Sequence, residues 1–193
     1  MQAEGLTAQK VACRRGDRLL FAGLDLRLEA GGALHLVGPN GTGKTSLLRI
    51  LAGLLHPAAP CTLEWTGTLA YLDGRTALDE HLPLAEALSF WTALDKSPTL
   101  PVDRLGLDRL SDIPVRYLST GQRKRAGLAR LIGQQADNWL LDEPLNGLDA
   151  EGTALIEELI AERRAAGGVV VVASHQPIAL PGAQVLDLRD HPA

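Results

Sequence analysis

The chain has 193 residues, 19 Lys and Arg against 23 Asp and Glu, and a formal charge of −4. That length suits one domain able to bury a proper core, and the acidic balance argues against a nucleic-acid partner held by general electrostatics. Cys13 and Cys61 are the two cysteines, far apart and outside any C-x-x-C, which supports neither a metal site nor a disulfide framework and fits a reducing cytoplasm.

Residues 1–15 include Glu4, Lys10, Arg14 and Arg15 and lack the apolar run of a secretory signal. Short strands are predicted over 6–11 and 24–28, the second with the alternation of a half-buried sheet. Glu29-Ala30-Gly31-Gly32 turns the chain into a strand over 33–37, which runs into Gly38-Pro39-Asn40-Gly41-Thr42-Gly43-Lys44-Thr45. This is the spacing G-x-x-x-x-G-K-[ST], whose glycines let backbone N–H groups close on a β-phosphate, whose lysine reaches the β- and γ-phosphates and whose threonine offers a hydroxyl to Mg²⁺. A helix over 45–52, stopped by Gly53, supplies the strand, loop and helix context that the spacing needs.

Two strands over 61–65 and 68–72 flank Gly67. From 76 to 133 the pattern turns to helical pieces broken by Pro83, Pro98, Pro101 and Pro114, clearest over 84–91 and 120–132, as in a helical lobe inserted into an α/β core. Ser119 reads as a helix N-cap, and Gly121 beside it exposes backbone N–H groups at the positive end of the helix dipole, so the pair forms an anion site. The basic run Arg123-Lys124-Arg125 reads as a solvated helix face.

A strand over 139–141 ends at Asp142 and Glu143, a helix spans 153–166, and strands cover 169–173 and 185–188. Apolar strands alternating with helices indicate a parallel sheet covered on both faces. Carboxylates at the carboxyl end of such a strand face the ligand crevice, where Asp142 can bind Mg²⁺ and Glu143 can polarise the water that attacks a γ-phosphorus. His175 also follows a strand, placed to hydrogen-bond that phosphate. The most apolar run, 169–173, falls far short of the roughly 18 residues needed to cross a bilayer, so any membrane role comes through a partner.

The order of Gly38-to-Thr45, Leu118-Ser119-Thr120-Gly121-Gln122, Asp142-Glu143 and His175 resembles the ATP-binding cassette ATPases over nearly the whole chain. The resemblance implies a P-loop NTPase fold in one cassette over 1–193, with a RecA-like parallel-sheet core, a small antiparallel β lobe and the helical lobe over about 76–133. It implies that Lys44, Glu143 and His175 are catalytic, that residues 38–45, Ser46 and the stretch Ser119, Thr120, Gly121 and Gln122 bind ATP, and that Thr45 and Asp142 hold Mg²⁺. Thr120 stands where the family's LSGGQ has its first glycine, and Asn146-Gly147-Leu148-Asp149 is similar to the inter-subunit loop usually spelled SALD. In this family ATP lies between the loop of one cassette and the LSGGQ of another, so a second ATPase subunit is implied.

Within the family, Leu20-to-Leu24, Asp112-to-Val115 and Ser174-His175-Gln176-Pro177 are similar to stretches of the ATPases of haem exporters in cytochrome c maturation. Too little chain follows His175 for the regulatory domain of many sugar importers. The subfamily implies permease subunits of a haem exporter as partners, no nucleic acid, a place on the cytoplasmic face of the bacterial inner membrane, and haem export or release of a haem-loaded chaperone as the coupled event. Another small exporter, or a nucleotide-gated module with little hydrolysis, is the alternative. Two departures stand out. Arg75 falls where the family has a glutamine beside Mg²⁺, with Asp73 the substitute metal ligand, and Arg15 falls where an aromatic side chain usually stacks on adenine, a place a guanidinium plane can take.

Overall fold

Two long strands open the fold. In the computed structural model, which describes residues 4–96 and 99–191, β1 (Glu4–Arg15) and β2 (Arg18–Glu29) form an antiparallel hairpin in register Arg15↔Arg18 and Ala8↔Leu26. Both extend well beyond the stretches 6–11 and 24–28 expected from alternation. The alternation breaks at a bulge, where Lys10 turns to φ 57 and its N–H donates to Asp25 Oδ1 at 2.7 Å. The outer half closes through Gly16-Asp17, with Gly16 at φ 56, a two-residue turn of the kind hairpins favour.

The strand β3 (Ala33–Val37) belongs to a second sheet, whereas β4 (Thr62–Trp65) pairs with β1 to complete the order β2-β1-β4. The second sheet adds β5 (Leu69–Leu72), β6 (Asn138–Asp142), β7 (Val170–Ala173) and β8 (Gln184–Asp187) in the order β5-β6-β7-β3-β8, every neighbouring pair parallel. The chain passes from one sheet to the other at Gly67, φ 87, where a Cβ would lie 2.5 Å from Asp137 Oδ2. The Asp137 carboxylate pins that crossing by accepting from Thr68 N–H at 2.7 Å and its hydroxyl at 2.8 Å.

The helices are α1 (Lys44–Leu51), α2 (Leu84–Asp95), α3 (Thr120–Gly133) and α4 (Ala150–Ala165). α4 starts three residues before the expected 153 because Asp149 caps it, accepting from Gly152 N–H at 2.8 Å. Side chains alternate along β7: Val170 and Val172 join Leu128, Trp139, Leu141 and Ile156 in one core, while Val171 and Ala173 join Leu36, Leu47, Phe21 and Leu140 in the other. The parallel sheet is thus covered on both faces, as its apolar strands require.

Between β5 and β6 lie α2, two short 3₁₀ turns and α3, with Pro83 heading α2 and Pro114 the second turn, while Pro98 lies outside the described residues. α3 sits close on β5: a Cβ at Gly127 would be 3.1 Å from Leu72 Cδ1. Arg130 stacks its guanidinium over Trp91 at 3.6 Å, joining α3 to α2, and Arg104 forks onto Glu162 of α4 at 2.9 and 2.7 Å. This crowding corrects the reading of residues 123–125 as a solvated face, since Lys124 is 9% exposed and Arg123 and Arg125 are only partly so. A run of charges shows its type in sequence but not what packs over it.

Parallel register aligns the strand ends that matter. Ala173 pairs with Asp142 on one side and with Leu36 on the other. The residues after β3, β6 and β7 therefore emerge side by side at one carboxyl edge, where ligands of open parallel sheets bind.

Candidate active site

The loop after β3 is shaped by three left-handed glycines, Gly38 at φ 118, Gly41 at φ 84 and Gly43 at φ 112. Such turns line up backbone N–H groups around a concavity that suits an anion, and α1 begins at the same point with its positive end toward it. A side chain at Gly43 would also press on Phe21, because a Cβ would lie 3.1 Å from its Cε1. The Lys44 ammonium donates to Gly38 O at 2.7 Å and Pro39 O at 3.2 Å, while the Thr42 hydroxyl donates to Pro39 O at 3.0 Å. Lys44 is 6% exposed, so the cation is already held over the loop.

A cleft of about 430 Å³ opens above it, bringing together Arg15, Asn40, Gly41, Gly43, Lys44, Thr45, Ser46 and Glu143. Eight sequence candidates thus share one cavity. Arg18 and Leu20 line it as well, and sequence reasoning missed them. The two-residue hairpin turn was the available signal, since it sets Arg18 opposite Arg15 in register.

At the end of β6, Asp142 is 8% exposed. Burial pushes its carboxyl up from the ordinary range; a hydrogen bond with Thr45 opposes that shift, and the nearby charges of Glu143 and Asp73 add to it. The Tyr71 hydroxyl donates to Asp142 Oδ2 at 3.4 Å and is itself pushed up to about 12, by burial first and then by the Asp142 charge. Negative charge is concentrated here in a half-buried place. A divalent cation beside the Thr45 hydroxyl and the Asp142 carboxylate would relieve it.

Glu143 takes φ 49, a left-handed conformation that costs a residue with a side chain about 1–2 kcal/mol. Its N–H donates to Ala173 O at 2.8 Å, its carbonyl accepts from Lys124 Nζ at 3.1 Å, and its Oε2 lies 2.8 Å from His175 Nδ1. The structure therefore brings Glu143 and His175 into contact. The Ser174 hydroxyl holds the following turn by donating to Gln176 O and accepting from Gln176 N–H, both at 3.0 Å.

A second cleft, about 630 Å³, is walled by Thr45, Asp73, Arg75, Lys124, Asp142 and Glu143 among others. Asp73 is there as expected, but its carboxylate has other partners: Oδ1 accepts from Arg75 N–H at 2.8 Å and Oδ2 lies 3.8 Å from Arg49. It is a turn-forming group before it is a free ligand, and only the fold could show the Arg49 pairing.

Ser119 caps α3 through a capping box: its Oγ accepts from Gln122 N–H at 3.2 Å and its own N–H donates to Gln122 Oε1 at 2.8 Å. Thr120 reaches the second cleft, whereas Ser119, Gly121 and Gln122 line neither cavity. Thr120 also packs on Gly147, φ 80, where a Cβ would sit 2.6 Å from Thr120 Cγ2.

A glycine loop between strand and helix at the carboxyl edge of a parallel sheet, with an Asp-Glu pair ending the strand two positions away, defines a phosphate-loop nucleotide hydrolase. Residues 21–146 match the family model for the ABC transporter. The chain belongs to this family, as one of its ATPases. It is 55% identical over 98% of both chains to the cytochrome c biogenesis ATP-binding export protein CcmA of Novosphingobium aromaticivorans. It is 46% identical to the protein of the same description from Zymomonas mobilis, over 96% of this chain and 85% of that one. Its fold matches that of the ADP conformation of an ATP-binding cassette of an ABC transporter with TM-score 0.70 at 18% identity, covering 90% of this chain and 82% of the other.

Proposed function

We propose that the chain is the ATP-hydrolysing subunit of a membrane ABC complex that serves c-type cytochrome maturation, coupling hydrolysis to haem export or to release of a haem-loaded chaperone. The observation that carries this reading is identity at 55% over 98% of a relative described as a cytochrome c biogenesis export protein. Among the described residues no helix is long and apolar enough to cross a membrane. On the likeness to that export protein, the chain is proposed to act at the cytoplasmic face of the inner membrane with permease partners. The test is a strain lacking the chain, assayed by haem staining of c-type cytochromes and by haem spectra of membrane proteins co-purified with it. Loss of c-type cytochromes and a haem-bearing partner are expected. Normal cytochromes in that strain would move the chain to another small exporter.

The loop and Lys44 hold the β- and γ-phosphates, while Arg15, Arg18 and Leu20 face the nucleoside. Thr45 and Asp142 would hold Mg²⁺, an ion whose usual protein ligands are one or two oxygen-bearing side chains. When bound, the ion neutralises charge on the phosphate oxygens.

Glu143 accepts a proton from the attacking water as the water oxygen bonds to the γ-phosphorus and the bond to the bridging oxygen breaks, leaving ADP and phosphate. The new carboxyl O–H can then donate to His175 Nδ1, 2.8 Å away. This favours the imidazole tautomer whose Nε2–H donates to a phosphate oxygen. One contact thus couples proton uptake at Glu143 to phosphate binding at His175.

Ser119 and Gly121 are proposed to complete the site of a second ATPase subunit, because they line neither cleft of their own chain. Ser119→Arg should abolish the ATP-bound dimer and leave a monomer that still binds nucleotide, at about 1 kcal/mol of lost helix capping. Sedimentation as a tight dimer with ATP would contradict the arrangement.

A further inference from the structure

Lys124 lies outside the sequence candidates, yet the residue is only 9% exposed and lines the wall shared with Asp142 and Glu143. A buried lysine usually needs a reason. Here the ammonium donates to the Glu143 carbonyl at 3.1 Å.

That carbonyl is a special one. The last residue of β6 in the ladder is Asp142, paired with Ala173, and the Glu143 N–H continues the pairing by donating to Ala173 O at 2.8 Å. At φ 49 the chain then leaves the extended path, turning the Glu143 carbonyl out of the ladder and toward α3. The glutamate is held by its N–H on β7, by its carbonyl on Lys124 Nζ at 3.1 Å and on Asn146 N–H at 3.4 Å, and by its carboxylate on His175 Nδ1. Of these partners Lys124 is the charged one, and it comes from α3 rather than from the sheet or the turn itself.

Its charge is matched to the place. Burial lowers the pKa of the ammonium, and the charges of Asp142, Asp73 and Glu143 oppose that shift. A neutral donor could satisfy the carbonyl, but a cation gives a stronger hydrogen bond and offsets Asp142, Asp73 and Glu143, three of the four carboxylates that line the same cleft.

We propose that Lys124 is a positioning residue for hydrolysis, its ammonium holding the Glu143 carbonyl in the left-handed turn and so keeping the carboxylate beside His175. The proposal rests on the reading of Glu143 as the base. Without Lys124 the carbonyl keeps only the longer contact from Asn146 N–H at 3.4 Å, and Glu143 can relax toward extended backbone, which swings its carboxylate off His175.

The test uses the full chain and steady-state ATP hydrolysis. Lys124→Met keeps the length and removes the donor, and kcat should fall about 10- to 100-fold, the cost of a misplaced catalytic group, with KM for ATP within about twofold of wild type. Combining it with Glu143→Gln should give a rate within about twofold of Glu143→Gln alone, since the two substitutions remove one function. A further fall of the same size in the double variant would show that Lys124 acts elsewhere, and an unchanged kcat in Lys124→Met would overturn the proposal directly. Lys124→Gln, which keeps an N–H donor without charge, decides the matter if the methionine variant does not fold. A kcat within about threefold of wild type supports the carbonyl clamp, and a loss as deep as that of Glu143→Gln overturns it. If Glu143→Gln itself turns over at the wild-type rate, the failure lies with Glu143 as base and is read from that variant alone.

Discussion

Glu143→Gln is expected to lower kcat for ATP by about 10²- to 10⁴-fold, the range for a positioned general base, while leaving nucleotide affinity near that of wild type. The amide has almost the shape of the carboxylate, and its oxygen can still accept from His175 Nδ1, which lies 2.8 Å from Oε2. The left-handed backbone stays held by Ala173 O and Lys124. The lost capacity is acceptance of the water proton. Because binding persists and turnover stops, ATP-bound dimers should accumulate, which sedimentation with ATP and Mg²⁺ would show beside the rate. A variant that hydrolyses ATP at the wild-type rate would remove Glu143 from the role of base.

Lys44→Ala should fail at the earlier step. A unit charge about 4 Å from a phosphate is worth about 4 kcal/mol at an effective dielectric constant of 20, and displacement of water from the ammonium takes back part of that. A loss of affinity of about 10²- to 10³-fold is the expected net result, read by titration calorimetry with ATP. The substitution also removes the braces from Nζ to Gly38 O and Pro39 O, so the loop loses rigidity along with charge. Lys44→Arg separates these effects, because it keeps the charge and cannot reproduce both short contacts. Tight nucleotide binding by the alanine variant would mean that the backbone N–H groups alone hold the phosphates.

The contrast between these variants reflects how much of the site could be read before the fold. The phosphate loop, Asp142-Glu143 and His175 were legible because each is a short contiguous run whose chemistry depends on neighbours in sequence, and the strand preceding each could be read from its apolar residues. Their meeting at one edge follows from parallel register, which strands alternating with helices already imply. Other parts depend on partners far along the chain. Arg49 takes up Asp73 and the Glu143 carbonyl takes up Lys124, pairings that no local pattern encodes. Arg18 became visible only once β1 and β2 were known to be long strands joined by two residues, and the bulge at Lys10 had hidden that length. The basic run 123–125 was misread for the same reason: sequence shows that Lys124 is charged and not that α3 lies against β5 and the end of β6.

The contact between Thr120 and Gly147 makes the residue at one position answerable to the other. Where the family resemblance has a glycine at the first of these positions and an alanine at the second, this chain has threonine and glycine, a swap of bulk across one interface. With threonine in place, a Cβ at 147 would lie 2.6 Å from its methyl group and would need φ 80, which alanine rarely adopts. Glycine at 147 leaves room for the threonine, whereas a side chain at 147 would have to displace its methyl group. The two positions are thus coupled: a side chain at 147 and the threonine at 120 compete for the same space, so the residue at one sets what the other tolerates.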